Sequence, residues 1–314
     1  MKDLTGRPGV ILVKRKLFEV GNRKSDPPSS LISGAMARQA CGIWIPKMTD
    51  LRKLIIVIKG AGEMATAVAF RLYVANLQKI LMLETDCPLA VRREVSFCEA
   101  VQDGHKTVEG VEAVRVGGLA DTHRAWEQGK IAVAADPRWH LLAGIGPDVV
   151  VDAILAKRNL GTRLSEAGLV IGLGPGFSAG RDVHLVVETN RGHNLGRIIS
   201  VGSAEPNTGI PGAIGGYAEE RVLRAPIDGT FTARRSIGDQ VSADDVVGFV
   251  QEREVCTQIG GVLRGLIRTG TPVTSGLKIG DVDPRGRKAY CDTISDKARA
   301  IGGSVLEAVL RVYN

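Results

Sequence analysis

The sequence is poor in aromatic residues and cysteine, and it contains no long run of apolar residues. Its apolar stretches all fall short of the roughly 20 residues that a membrane-spanning helix needs. The N-terminus also lacks the basic, apolar and small-residue order of a secretion signal. We therefore expect a cytoplasmic protein without a membrane partner.

The five cysteines are odd in number, widely spaced and free of any CxxC pair. This pattern argues against a disulfide framework and against a structural zinc site. We interpret the cysteines as buried free thiols, which behave as small apolar side chains. Whether the protein binds a metal stays open at this stage.

Glycine is abundant, with 39 residues against three Trp, four Tyr and six Phe. That balance is typical of α/β nucleotide-binding folds and small β-barrels, which need many tight turns. The net charge is +7, but residues 1–50 alone hold nine Lys and Arg against four Asp and Glu. Because no nucleic-acid-binding signature accompanies this charge, we expect no nucleic acid partner.

Residues 1–50 differ in composition from the rest of the chain. They combine basic residues with a Pro-Pro-Ser-Ser stretch at 27–30 and show no sustained periodicity, so we predict a basic, disordered extension. Met48 stands just before the first apolar run. We therefore also consider the hypothesis that natural translation begins at Met48.

The segment 51–219 alternates short apolar runs with helical stretches, which predicts an α/β fold with a Rossmann-like parallel sheet. A hairpin around Gly110 is expected as an insertion at residues 106–115. The predicted strands are residues 54–58, 80–84, 131–135, 149–152 and 169–172.

The segment 220–285 contains an internal repeat with a period of 32 residues: Gly229, Gly238, Val241 and Gly248 recur as Gly261, Gly270, Val273 and Gly280. Two copies of such a unit would bury their apolar faces against each other as a two-fold C-terminal β-barrel. The pattern resembles the lipoyl and biotinyl carrier domains. Those domains carry a lysine on the hairpin between their halves, whereas residues 250–256 contain none. We therefore interpret the barrel as a scaffold or docking module, followed by a C-terminal helical segment at 286–314.

A glycine motif follows the first predicted strand. In it Gly60 permits a tight turn, Gly62 lets backbone amides approach a diphosphate, and Ala65 lets the next helix pack closely. Glu84 ends the second strand, where a carboxylate would bind a ribose hydroxyl and repel a 2′-phosphate. These residues favour NAD or another adenosine nucleotide over NADP. A turn that serves only packing, or binds another phosphate, is the alternative.

A polar segment follows the fifth strand. It begins with a rigid turn that contains Gly174 and Gly176, and a second glycine-rich stretch, NTGIPGAIGG, follows at 207–216. We consider metal ligands, an acid and base pair, or an orienting network, with a purely structural polar network as the alternative. The arginines suit an anion. If residues 183–187 form a strand, Asp182, His184 and Glu188 share one face of it. The candidate ligand-binding residues here are Gly174, Gly176, Asp182, His184, Glu188, Arg191, His193 and Arg197.

Long phrases of the chain between Leu54 and Leu310 resemble the YqeB family, which is named for a selenium-dependent molybdenum hydroxylase system. They include IVIKGAGEMATAVAFRL, PLAVRREVSFCEAVQDG, GLGPGFSAGRDVH, ETNRGHNLGR, PNTGIPG and KIGDVDPRG. The Rossmann part also looks related to XdhC-like accessory proteins. The resemblance implies a molybdopterin cofactor or its nucleotide form as ligand, a hydroxylase apoprotein as partner, and a selenium or sulfur donor protein as a second partner.

Three functions follow from these observations. The first is an accessory protein that handles a cofactor during maturation of a molybdenum hydroxylase. The second is an NAD-dependent oxidoreductase, although no Ser-Tyr-x-x-x-Lys arrangement accompanies the glycine motif. The third is a docking protein without catalysis. Whether the chain is an enzyme stays open.

Overall fold

The computed structural model describes residues 50–314. The predicted basic extension, apart from Asp50, and the hypothesis about Met48 therefore lie outside the described residues. Residues 50–314 contain no helix that is both long and apolar enough to cross a bilayer.

Nine strands form one large sheet. In chain order they are β1 (Ile56–Lys59), β2 (Ile80–Glu84), β3 (His105–Val108), β4 (Val111–Val116), β5 (Ile131–Ala135), β6 (Val149–Asp152), β7 (Leu169–Leu173), β8 (Leu185–Val187) and β9 (Ile198–Ile199). Five helices accompany the sheets: α1 (Glu63–Val74), α2 (Ala100–Asp103), α3 (Leu119–Glu127), α4 (His140–Ile145) and α5 (Asp296–Tyr313).

The strand order of the large sheet is β3-β4-β5-β2-β1-β6-β7-β8-β9, and only β3 and β9 run antiparallel to their neighbours. Without the β3–β4 hairpin, the six strands β5-β2-β1-β6-β7-β8 have the Rossmann order 3-2-1-4-5-6. The predicted α/β class, the five predicted strands and the inserted hairpin are confirmed, with strand ends shifted by at most two residues.

Helices cover both faces of the sheet. Such double burial explains why β1, β2 and β6 read as continuous apolar runs. Helices α1 and α5 pack on one face, and α3 and α4 pack on the other. A Cβ atom at Gly302 of α5 would lie 2.7 Å from the Ala67 carbonyl oxygen of α1. The C-terminal helix therefore returns to the large sheet at a contact that only glycine permits.

The remaining eight strands form two four-stranded sheets, ordered β10-β17-β15-β12 and β14-β13-β11-β16. They are β10 (Val222–Arg224), β11 (Gly229–Ala233), β12 (Gln240–Val241), β13 (Val246–Val250), β14 (Arg253–Cys256), β15 (Gly261–Leu266), β16 (Pro272–Val273) and β17 (Lys278–Asp283).

The internal repeat of the sequence corresponds to a structural repeat of these strands. Strands β11, β12 and β13 begin 32 residues before β15, β16 and β17. If each of these strands is replaced by its equivalent in the other copy, β17-β15-β12 of one sheet becomes β13-β11-β16 of the other. The two copies are therefore related by a two-fold repeat. Residues at equivalent positions fill a common core, as Phe231 and Leu263 illustrate by being fully buried. The predicted internal repeat is thus present as two interlocked copies.

Candidate ligand-binding cleft

The glycine motif lies where the strand order of the large sheet reverses. Strand β1 pairs with β2 on one side and with β6 on the other, so the loops that leave β1 and β6 diverge. A crevice at such a point is the usual ligand site of open α/β sheets. Here it contains a cavity of about 830 Å³. We call this cavity the loop cavity; its wall includes Gly60, Gly62, Glu84, Ile154 and Leu155.

The two glycines of the motif have different local geometry. Gly60 has a φ of +89°, and an added Cβ would lie 3.3 Å from the Ala153 carbonyl oxygen. Gly62 is the N-cap of α1 with φ −70° and ψ −174°, and an added Cβ would meet nothing within 4 Å. Ala65 is fully buried on the sheet side of the helix. Gly60 is thus required by the backbone, whereas Gly62 leaves open space at the helix N-terminus.

Glu84 braces the glycine motif from the neighbouring strand. The Ala61 N–H donates to Oε2 of Glu84 at 2.8 Å, and the Thr85 N–H donates to Oε1 at 2.7 Å. Each carboxylate oxygen still has acceptor capacity, because it can take two hydrogen bonds. Glu84 can therefore hold the turn and accept a hydroxyl hydrogen bond from a ligand.

A second cavity, of about 580 Å³, adjoins the loop cavity. We call it the basic cavity. It shares Glu63, Met64, Leu155 and Lys297 with the loop cavity and extends from there to the repeat domain. Three acidic side chains line it: Glu63, Glu205 and Asp281. Seven cationic side chains line it: Arg92, Lys157, Arg191, Arg221, Arg264, Lys278 and Lys297.

Arg92 is a buried cation of the basic cavity that comes from a loop of the large sheet. Its side chain is 5% exposed and donates to Glu63 and to the carbonyl oxygens of Tyr290 and Thr293. Burial lowers the pKa of Arg92, and Arg264 adds a like charge. Its Nε atom has no hydrogen-bond partner among the described residues.

Arg221 is the corresponding buried cation from the repeat domain. Its side chain is 7% exposed, pairs with Asp281 and donates to the Gly212 carbonyl oxygen at 2.9 Å. Its Nε atom is also without a partner among residues 50–314. Asp281 serves Arg264 as well, at 2.8 Å, and Lys278 at 3.4 Å. One carboxylate is therefore shared by three cations.

Lys297 stands in the first turn of α5, on the wall shared by both cavities. Burial lowers its pKa, and the positive charge of Arg191 lowers it further. Glu63 and Glu188 act on its charge through space, without a side-chain hydrogen bond to its ammonium group, so that group can bind a ligand.

Of the predicted polar residues, Arg191 lies in the basic cavity. It forms a two-pronged pair with Asp296 at 2.8 and 3.1 Å, which holds the pKa of that carboxyl down at about 2. The predicted second glycine-rich stretch lines the same cavity through Asn207, Thr208 and Gly212. The structure thus brings these two sequence features together.

Glu188 lies close to the basic cavity, but its side chain binds backbone groups of the adjoining loops instead of lining the cavity. It is 2% exposed, and its carboxylate accepts the backbone N–H groups of Asn190 at 2.6 Å and Glu205 at 2.7 Å. These bonds fix the loops that carry Arg191 and the 205–214 stretch. Glu188 therefore supports the wall of the cavity from behind.

Asp182 and His184 do not join Glu188 in one site, which corrects the prediction that the three share a strand face. Strand β8 begins only at Leu185, so His184 precedes the strand and Glu188 follows it, about 13 Å further along an extended chain. The Val170 N–H donates to Nδ1 of His184 at 2.9 Å, and burial lowers the pKa of this imidazole. Asp182 accepts from the Ser178 N–H and pairs with Arg181.

The other predicted residues have structural or exposed positions. Gly174 and Gly176 have positive φ angles, and an added Cβ would lie 2.4 Å from Thr189 and 2.6 Å from the Arg158 backbone respectively. His193 and Arg197 are exposed and line neither cavity. The glycines thus shape the turn, and the two exposed residues lie apart from the cleft.

Sequence reasoning missed six of the seven cations, because they come from distant parts of the chain: Arg92, Lys157, Arg221, Arg264, Lys278 and Lys297. The repeat held a signal for two of them. At a spacing of 32 residues, Arg264 and Lys278 correspond to Thr232 and Val246. These two charges are therefore absent from the first copy of the repeat.

A further buried cation was also missed. Lys59 ends β1 and is fully buried, with its ammonium 2.7 Å from Thr162 Oγ1 and 2.7 Å from Glu166. It also lies 3.6 Å above the Trp139 ring, and burial lowers its pKa. Lys59 lines neither cavity. Its contacts join the segment that carries Trp139 to the segment that carries Thr162 and Glu166. In residues 50–314 no three His, Cys, Asp or Glu side chains cluster as metal ligands would.

The fold and the cleft define an α/β protein with a Rossmann-order parallel sheet and an attached two-fold β domain. Within that class, the chain is homologous to the Escherichia coli (strain K12) protein named "Uncharacterized protein YqeB". The two are 49% identical over 260 residues, which is 83% of this chain and 48% of that protein. The chain thus spans about half the length of this relative. No family model matches the sequence.

Solved structures give only distant likenesses. An aspartoacylase family protein from Mesorhizobium loti is 15% identical, with 73% of this chain and 84% of that chain covered and a TM-score of 0.25. A succinylglutamate desuccinylase/aspartoacylase from Rhodobacter sphaeroides is 13% identical, with 73% and 85% covered and a TM-score of 0.23. Such TM-scores carry no argument about this chain.

Proposed function

We propose that this chain binds a phosphate-bearing cofactor, a nucleotide or a molybdopterin-type compound, in the loop cavity, and serves as an accessory protein in maturing a selenium-dependent molybdenum hydroxylase. The observation that carries the proposal is the open space at Gly62, at the N-terminus of α1 and at the reversal point of the sheet. Unpaired amides and the helix dipole there favour a phosphate group.

Glu84 narrows the class of ligand. Its carboxylate borders the loop cavity and keeps acceptor capacity beyond its two backbone bonds. This arrangement suits a free ribose hydroxyl and disfavours a 2′-phosphate. Among dinucleotides we therefore expect NAD to bind better than NADP. Arg93 does not offset this preference, because its Nε donates to the Leu266 carbonyl oxygen at 2.8 Å.

The assignment to molybdenum hydroxylase maturation rests on the resemblance to the YqeB family. It supplies the proposed partners, a hydroxylase apoprotein and a selenium or sulfur donor protein. We further propose that the two-fold domain is a barrel of the lipoyl type that acts in docking. The tight turn between β13 and β14 consists of Gln251 and Glu252, and it offers no lysine for a swinging arm.

An NAD-dependent oxidoreductase is the second candidate function. The observation in its favour is the pairing of the glycine motif with Glu84, which dinucleotide enzymes also use. Hydride transfer would give NADH turnover with a suitable substrate. The accessory role predicts ligand binding without such turnover.

The experiment removes this chain from cells and measures the activity, molybdenum content and selenium content of the partner hydroxylase. We expect inactive hydroxylase, rescued by the wild-type chain but not by Gly62→Val. Gly118→Val is the matched control, because Gly118 is also an extended helix N-cap residue with nothing within 4 Å of an added Cβ. Normal hydroxylase in the deletion strain, or equal rescue by both variants, would contradict the proposal.

A further inference from the structure

We propose that the basic cavity is a second binding site, for an oxyanion of the phosphate class, formed jointly by the large-sheet loops and the repeat domain. Nothing in the proposed role of Gly62 and Glu84 requires this site. Its ligand is recognised by arginine and lysine side chains rather than by a helix N-terminus.

Two buried arginines of the basic cavity each have one donor without a partner among residues 50–314. Arg92 and Arg221 line the cavity with side chains only 5% and 7% exposed, and the Nε of each has no partner among the described residues. A buried cationic donor without a partner is costly, because it has lost its hydration. Both side chains line the cavity, so an oxyanion there would offset the buried positive charge of the two guanidinium groups.

The basic cavity has an excess of positive charge. Arg221, Arg264 and Lys278 share Asp281, and Arg264 shares Asp283 with Arg285. These four cations therefore have two carboxylates between them. Lys297 adds a further charge, and its pKa is lowered in part by Arg191. A bound dianion would offset this excess.

The two copies of the repeat differ in charge at the cavity. In the second copy, Arg264, Lys278 and Asp281 occupy positions at which the first copy has Thr232, Val246 and Phe249. Core pairs such as Phe231 with Leu263 and Val247 with Ile279 are apolar in both copies, whereas these three positions are charged in the second copy only. The charges are therefore not needed to build a copy of the fold. They occur only in the copy that lines the cavity.

The geometry also indicates the class of ligand. Guanidinium groups bind phosphate oxygens through paired N–H donors, and arginine predominates in this cluster. A volume of about 580 Å³ exceeds what one inorganic phosphate fills. We therefore assign the site to a diphosphate, or to the phosphate end of an organic molecule such as a nucleotide.

The test is calorimetric titration of the full chain with inorganic pyrophosphate. We expect saturable binding whose component in the basic cavity is weakened about tenfold or more by Lys278→Gln and by Arg221→Lys. The second variant keeps a positive charge for Asp281 but removes the Nε donor. Lys288→Gln is the matched control, because it removes a lysine charge from an exposed position outside the cavity. This control should bind like the wild type.

Two further arms separate this inference from the proposed function. In Gly62→Val, pyrophosphate binding should persist, since the basic cavity does not use the glycine loop. A parallel titration with ADP shows which kind of ligand the basic cavity binds. If Lys278→Gln weakens ADP binding, the ligand of the cavity is a nucleotide. If ADP binding is unchanged, the ligand is a separate anion.

Three results would overturn the oxyanion site. They are no pyrophosphate binding by the wild type, equal weakening by Lys288→Gln and Lys278→Gln, or loss of binding in Gly62→Val alone. The last result would place the anion on the glycine loop and leave the proposed function standing. Circular dichroism of each variant distinguishes lost binding from lost folding.

Discussion

Alanine at the two glycines of the loop should separate folding from binding. For Gly60→Ala we expect a loss of about 1–2 kcal/mol, because its φ of +89° is a left-handed conformation that L-residues resist. The new Cβ would also press on Ala153 at 3.3 Å. In a chain of this size that loss lowers Tm by about 2–4 °C per kcal/mol.

Gly62→Ala should leave stability within about 1 kcal/mol of the wild type. Alanine is the poorer N-cap residue, but it also reduces the entropy of the unfolded chain, and the two effects offset each other. Its methyl group would stand in the open space where a phosphate must approach the amides. Losing one such charge-assisted bond costs about 1.5–3 kcal/mol, or tenfold and more in affinity.

The assay pairs urea denaturation with calorimetric titration of ADP for the wild type and both variants. We expect Gly60→Ala to have a lower free energy of unfolding than the wild type. Gly62→Ala should keep nearly the wild-type free energy of unfolding but bind ADP more weakly. If Gly62→Ala unfolds more readily than Gly60→Ala and still binds ADP normally, the assignment of roles to the two glycines is wrong.

Three other substitutions test separate parts of the structure. Glu84→Ala should weaken ligands with a free ribose hydroxyl by about 1.5–3 kcal/mol in calorimetry; equal affinity for NAD would show that the carboxylate only braces the turn. Lys59→Ala should lower the free energy of unfolding by about 3 kcal/mol in urea, because Glu166 loses its buried partner; a change under about 1 kcal/mol contradicts this. Burial raises the pKa of Tyr313 from 10.0 to about 12, so its stabilising effect is complete below pH 10 and is lost as the pH rises through 12. Tyr313→Phe should reduce that alkaline loss in thermal unfolding, and an unchanged pH profile would refute it.

Much of the fold could be predicted because its signals are local. Strands β1, β2 and β6 are buried on both faces, so their sequences are continuous apolar runs of strand length. The turn of the glycine motif could be predicted because Gly60 has a positive φ, which other residues avoid. The repeat was visible because its glycines occupy matched turn positions, such as Gly238 and Gly270, both with positive φ.

The cleft was only half predictable for a physical reason. Gly60, Gly62 and Glu84 form a motif within one βαβ unit, so their proximity follows from local topology. The basic cavity instead joins Arg92 to Arg221, residues that come together only when the repeat domain packs on the sheet loops. No spacing rule encodes that contact.

The misplacement of His184 has a similar cause. Residue spacing along a strand predicts a shared face, but it does not say where the strand begins. Strand β8 contains only three residues, so the residues before and after it lie at opposite ends of the parallel strands. His184 therefore lies at the amino end, away from the cleft, and Glu188 lies at the carboxyl end, beside the cleft.

Binding of a phosphate-bearing cofactor in the loop cavity is the central claim, and one calorimetric series tests it most directly. The full chain and Gly62→Val are titrated with NAD, NADP, ATP, CTP and purified molybdenum cofactor, with Gly118→Val as the control. The account predicts saturable binding of at least one of these ligands by the wild type and the control, and its loss in Gly62→Val while the fold is retained. No binding of any ligand, or binding by Gly62→Val within about threefold of the wild type, would contradict it.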